Sequence, residues 1–416
     1  MTRRRLALVG AVLLAAACVE RLTVPGHCPD FCPSGQITVV DTLLTTSINR
    51  DSAYRGYVVS YQSPVMLAAF LPGATDTLDG RPIFRFNGYG PGLPISSVDT
   101  GQILGADSAR LQVYIVRRDT ATHNLRLQFY RLPTTIDTTT TFGAVAAPFA
   151  DAPVRTVNVD TLLAQPGRKD TVTGDSVVVD TVNHRWLLSL KFDTAAARYD
   201  GTSDSGAVAY GIRIAADTLA SIAFGKGAVG PVLQWYLRVD SSGTPVARNP
   251  GVRGPTLANF VFTPPTAPLD STLAVGGVPS ARSLLRVAFP KFIRDSSQII
   301  RGTLFLVPAV AARGAPADSF VMEARTVLAD FGRKSPIDAR LDDPIVIHPG
   351  ATDTIKIEVT NMLQLWAADT THPTVFLLRP RAEAQYFGEI RFYPSKAALR
   401  PTLQITYVKQ FPFGVP

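Results

Sequence analysis

Apolar residues recur at every second position in short stretches along this chain, and that period decides what it can fold into. Leu111, Val113 and Ile115 point one way while Gln112 and Tyr114 point the other. Trp186, Leu188, Leu190 and Phe192 form a second stripe, interrupted by Ser189 and Lys191. Ile355, Ile357 and Val359 form a third, with Lys356 and Glu358 outward. Successive side chains leave a strand on opposite faces, so each stripe predicts a strand with one buried side. Turn residues separate the stretches, and little reads as amphipathic helix; Val359 to Ala368 predicts one short helix. The expectation is an all-β protein built of antiparallel strands as a sandwich or barrel. At 46% hydrophobic and 18% charged residues the chain is not globally disordered. Its 416 residues are enough for two or three domains.

A second pattern organises the strands. Gly230-Pro231-Val232-Leu233-Gln234-Trp235-Tyr236-Leu237 is answered downstream by Arg400-Pro401-Thr402-Leu403-Gln404-Ile405-Thr406-Tyr407. Upstream of each, Ser221-Ile222-Ala223-Phe224 matches Glu389-Ile390-Arg391-Phe392, and Val208 to Ile212 matches Val375 to Leu378. At the front, Arg81 to Phe86 matches Arg282 to Phe289. Four matches in one order argue for an internal repeat. The repeat predicts two tandem antiparallel β-sandwich domains, at 37–240 and 256–410. Between them 241–255, holding Gly243, Pro245, Pro250, Gly251, Gly254 and Pro255, reads as a linker, because such residues sit poorly in central strands.

The second copy resembles a known family. Arg282 to Phe289, Ile300 to Leu306, Ile357 to Thr360 with Leu365-Trp366, Gly388 to Tyr393 and Arg400 to Tyr407 together look like the DNRLRE-type β-sandwich. That module is similar to carbohydrate-binding domains of jelly-roll form. The resemblance implies a jelly-roll-like sandwich across most of 256–410 and a role in binding sugar.

The amino terminus addresses the chain to an envelope. Arg3, Arg4 and Arg5 precede an apolar run from Leu6 to Ala17 that is too short to span a bilayer, which is the pattern of a signal peptide. Cys18 follows directly, and the junction resembles a bacterial lipobox. The resemblance implies removal of 1–17, acylation of Cys18, and a protein held on a membrane by its acyl chains. Val19 is not the Asp of inner-membrane retention, so the outer membrane is the expected site. Residues 18–36, rich in Pro and Gly, read as a tether. Cys28 and Cys32 lie within it, and in an oxidising compartment this close pair is expected to close a small disulfide loop. Free or intermolecular thiols are an alternative, as is a metal or redox site with His27. Three groups fall short of a closed set of four ligands, so metal ranks last.

Chemistry-bearing motifs are few. The formal net charge of +8 includes the three arginines of the leader, and no later basic cluster tracks phosphates, so no nucleic-acid partner is expected. Gly174-Asp175-Ser176 begins like a lipolytic motif, but Val177-Val178-Val179 continues as a strand, where a nucleophile elbow would open into a helix. Gly225-Lys226-Gly227 reads as a hairpin turn. Asp-Thr pairs, for example at Asp137, Asp180 and Asp369, read as turns in which Asp bonds its own backbone. A calcium ion clamping one loop is compatible with them but not predicted. No catalytic residue, metal site or cofactor is expected. Trp235 and Trp366 lie on inward stripes, which leaves Tyr386 and Tyr393 as candidate ligand-facing aromatics. The expected function is non-catalytic: an envelope-anchored binding module for a glycan or cell-surface polymer. The alternative is a structural spacer or accessory subunit of an outer-membrane complex.

Overall fold

The computed structural model describes residues 38–56, 58–71, 77–264 and 271–409; Cys18, Cys28 and Cys32 lie outside the described residues. It is an all-β protein whose strands form sheets of four, thirteen and nine members among the described residues. No helix among them is long and apolar enough to cross a membrane.

The stripes read from the sequence face inward. Leu111, Val113 and Ile115 are buried beside Leu188, Leu190 and Phe192 of the neighbouring strand. Phe192 meets Phe129 and Tyr210 of the opposite layer edge-on, at 5.3 and 5.2 Å between ring centres. Trp186, at the end of its stripe, is half-buried with the Arg118 guanidinium over its ring. Ile355, Ile357 and Val359 enter a second core, where the four-stranded sheet faces the nine-stranded one. The expected short helix is Thr360–Ala368, and it buries Met362, Leu363 and Trp366 in that core. Both inward tryptophans find partners for their indole N–H, as buried rings require: Trp235 donates to the Ala197 carbonyl and Trp366 to the Thr326 hydroxyl.

The sequence repeat is also a repeat of strand pairing. Around the first core, Val208–Ala215 lies between Leu78–Phe86 and Arg126–Leu132; around the second, Val375–Pro380 lies between Ala281–Val287 and Phe320–Val327. One strand behaves differently in the two copies. Thr100–Arg118 runs unbroken for 19 residues, pairing first with Val232–Ser241 and then with Ala220–Gly225. It therefore carries one layer into the other, and a single thirteen-stranded sheet folds around the first core. In the second copy the same course is cut at Val307. Ser297–Leu306 pairs with Thr402–Lys409, whereas Pro308–Arg313 pairs with Glu389–Phe392 in the other sheet. Pro308 has no N–H to give to a ladder, and the two layers stay separate.

The strands at the head of each copy complete the opposite core. Thr244–Arg248 folds back on Val232–Ser241, and Leu257–Phe262 joins Leu78–Phe86, so both close the first core. Val39–Leu44 pairs with Thr402–Lys409, and Ile48–Arg55 with Ala281–Val287, so both close the second. Strand pairing thus cuts across the boundaries expected at 37–240 and 256–410. The stretch 241–255, expected as a linker, holds an edge strand, where Pro245 is tolerated because an edge leaves one side of the ladder unpaired. Gly225-Lys226-Gly227 likewise departs from expectation. Ala220–Gly225 and Val232–Ser241 are not paired with each other but lie along the same long strand, so the segment between them is a 3₁₀ turn at Gly227–Val229.

Candidate functional site: a groove where the nine-stranded sheet parts

Leu273–Gly276 and Ala281–Val287 are joined at one register pair, Gly276 with Ala281, and then diverge. Leu273–Gly276 follows Glu389–Phe392, while Ala281–Val287 takes Ile48–Arg55 as its neighbour. Gly277 makes the bend, with φ at +70°, and a Cβ there would crowd the Glu389 carboxylate. Where the strands part, a groove of about 740 Å³ opens. Asn49, Arg50, Asp51 and Ala53 line one side, Ser271, Thr272 and Leu273 another, and the turn from Tyr393 to Ala397 the rest.

The turn is fixed from several directions. The Asp51 carboxylate accepts the Ser395 N–H, the Tyr393 N–H donates to the Val307 carbonyl, and the Ala397 N–H closes on Pro394. Behind the groove, Arg286 holds Asp330 with two hydrogen bonds and donates to the Ser52 hydroxyl. The Arg286 hydrogen bond keeps the Asp330 carboxyl below its ordinary range, helped by the charge of Arg50. The result is a half-buried tyrosine beside amide, carboxylate, guanidinium and ammonium groups on a pinned scaffold. Such a lining can stack a ring and hydrogen-bond hydroxyls on both donor and acceptor sides.

The corresponding place in the first copy holds a turn. There the Ser60–Gln62 turn packs against Leu257–Phe262. Lys226, two residues past Phe224 as Pro394 is two past the matching Phe392, donates to the Tyr61 carbonyl and sits 4.7 Å from its ring centre.

Of the two aromatics singled out from sequence, the structure brings only Tyr393 to the groove. Tyr386 is half-buried between the cores, with the Arg117 guanidinium 4.1 Å over its ring. Arg117 also donates to the Gln385 carbonyl and lies 3.7 Å from Asp318, a fully buried carboxyl that accepts from Ser221 and from the Ala315 and Phe387 N–H groups. Burial pushes the Asp318 carboxyl up and the Arg117 guanidinium down from their ordinary values. Around this lock Leu67, Ala69, Leu71, Ala223 and Phe260 meet Val278, Ala315 and Phe387, and a Cβ on Gly80 would run into the Phe387 ring.

The remaining motifs resolve locally. Asp175 is buried and takes hydrogen bonds from Arg155 and the Lys191 N–H, which makes it a structural turn residue. Ser176 lies across from Ser189, whereas His184 occupies the turn beyond Asp180 at the other end of that strand pair. Asp137, Asp170, Asp180 and Asp369 each cap a following backbone N–H, as the turn reading expects. Among the described residues no three His, Cys, Asp or Glu gather as a metal-holding group.

Sequence reasoning missed the ion pairs on the nine-stranded sheet. Arg282 forks onto Glu383, Arg55 and Arg391 converge on Glu389, and Arg325, Arg379 and Arg381 surround Glu323. Burial alone would raise the Glu323 carboxyl, but hydrogen bonds from Arg381 and Arg325 bring it below its ordinary value. The signal was present in Arg282 and Arg286, and in Arg379 and Arg381, arginines an even number apart and hence on one face.

No family model and no curated protein matches the chain. Among solved structures it is similar to one titled BspA_C_mut, at 8% identity and a TM-score of 0.14, covering 83% of this chain and 90% of that one. Another is the C-terminal domain of the Streptococcus pyogenes antigen I/II-family protein AspA, at 8% identity and a TM-score of 0.13, covering 85% and 93%. Likeness at that level carries no argument about this chain.

Proposed function

We propose that this chain is a non-catalytic, acyl-anchored envelope protein that binds a glycan or cell-surface polymer in the groove of its second core. The observation that carries this reading is the meeting of Tyr393 with Asn49, Arg50, Asp51 and Lys396 around an open volume of about 740 Å³. That volume lies within the usual range for small-ligand sites, roughly 300–1,000 Å³. The DNRLRE-like pattern of the second copy supports it, and the basic leader ending at Cys18 supports the anchor. The two cores are then two domains of one module, and the ligand groove belongs to the second.

Retention of the full chain on a panel of envelope and extracellular polysaccharides tests the reading. We expect measurable binding that Tyr393→Ala weakens about tenfold, the scale of losing one anchoring side chain. No binding across a broad panel, or binding indifferent to Tyr393 and Arg50, overturns it. The buried Arg117–Asp318 contact between the cores favours a second reading, a rigid spacer or accessory subunit. That reading expects a partner protein to co-purify in mild detergent.

A further inference from the structure

We propose that residues 38–56 are an exchangeable donor segment, and that the second core of one chain can be completed by this segment from a second copy. Connectivity separates the two cores in this respect. Of the two strands that close the first core, Thr244–Arg248 is tied to its acceptor, following Val232–Ser241 through a tight turn in which the Asp240 carboxylate accepts the Gly243 N–H. That hairpin keeps its strands in the same chain. The pair that closes the second core comes from the opposite end of the sequence. Asp41 accepts from Gln404 and Thr406, partners more than 360 positions away. Along the sequence, the donor is joined to the first core through the residues that follow Gly56.

The contacts the donor makes are ones any copy can supply. Six register pairs bind Val39–Leu44 to Thr402–Lys409, and seven bind Ile48–Arg55 to Ala281–Val287. Ile48 is buried in the second core, with Val40 and Leu44 packed against it. Arg55 pairs with Glu389 at 2.8 Å, Arg286 donates to Ser52, and the Gly56 carbonyl accepts from Arg333. All these partners belong to the second core, so a segment in trans reproduces the whole set. Without a donor, Thr402–Lys409 and Ala281–Val287 each present an unpaired backbone edge, which is the template for strand addition. The choice between own and foreign donor then rests on concentration and on the short connection, as in domain swapping.

The test fixes the register covalently. In the full chain with Cys18, Cys28 and Cys32 replaced by serine, Leu43→Cys is combined with Gln404→Cys, residues opposite each other across the donor pairing. A control chain carries Arg238→Cys with Ala247→Cys across the hairpin. Each is unfolded, refolded at ~1 and ~100 µM, oxidised and run on a non-reducing denaturing gel, the upper range being one where swapping is favoured. We expect disulfide-linked dimers and larger species to rise at least ~fivefold with concentration for the donor pair, while the hairpin control closes within one chain. Closure within one chain for both pairs at every concentration overturns the proposal. Co-refolding two differently tagged copies of the unmutated chain is a second, independent measurement. Co-elution that excess synthetic peptide 38–56 suppresses supports exchange; separate monomers, or co-elution that the peptide leaves unchanged, overturn it.

Discussion

The two copies of the repeat keep the same strand neighbours but differ in three places. In the first, Thr100–Arg118 crosses between layers without a break, Lys226 lies against Tyr61 at the groove position, and one closing strand arrives through a hairpin. In the second, the long strand is cut before Pro308, the groove is open beside Tyr393, and the closing strands come from the far end of the chain. A repeated pairing scheme therefore need not repeat a function. One copy takes a closing strand from its own hairpin, and the other takes both from the far end of the chain.

The sharpest way to break this comparison is to ask whether the cores are independent. Trp235→Ala in the first and Trp366→Ala in the second should each cost about 3–5 kcal/mol, as for fully buried aromatic rings. Because each core contains strands from the head of the other copy, calorimetry should show one coupled transition that both substitutions lower. Two transitions, each moved by only one substitution, would falsify the coupling.

The contact between the cores comes next. Arg117→Met leaves Asp318 buried beside no cation and should cost about 3–5 kcal/mol in urea unfolding. Adding Asp318→Asn should recover part of that, because the neutral amide needs no cation and its oxygen can still accept from Ser221 and the Phe387 N–H. A double-mutant cycle with no coupling energy removes Arg117 and Asp318 as the lock.

Acid titration compares two buried carboxyls of opposite sign. Glu323 is held below its ordinary 4.5, so its contribution is present above that value and is lost as pH falls through the lower folded value. Asp318 is raised above 3.8, so its contribution is greatest at low pH and fades as pH rises through the folded value. Glu323→Gln should therefore flatten the loss of stability on the acid side, whereas Asp318→Asn should steepen it, measured by urea midpoints between about pH 3 and 7, the span in which carboxyl linkage is read. Identical pH profiles for the two variants contradict this assignment.

The smallest stability effect is expected at the groove. Tyr393→Ala should change unfolding free energy by no more than about 0.5 kcal/mol, the usual range for a substitution away from the core, while weakening polysaccharide retention. A large loss of stability would move Tyr393 from the groove lining to the structural core.

Much of the fold was legible because its signals are local. The stripes at Leu111 to Ile115 and Ile355 to Val359 are buried as read, and the helix at Thr360–Ala368 lies where its pattern ends the strand period. The groove was legible only in part. Tyr393 could be picked as an exposed aromatic, but Asn49, Arg50 and Asp51 lie more than 300 residues away and nothing in sequence joins them. Tyr386 looked equivalent to Tyr393 and differs because Arg117, from the other half of the chain, covers it.

Side-chain period and the recurrence of Arg-x-hydrophobic and Pro-x-Leu-Gln patterns were enough to determine the strand class and the repeated order, since both depend on neighbours within a few residues. Which edge each head strand joins was decided only in three dimensions. Both copies offer the same unpaired backbone, and hydrogen-bonding edges do not distinguish one sequence from another, so connection length and side-chain fit at Ile48 and Phe260 select the partner.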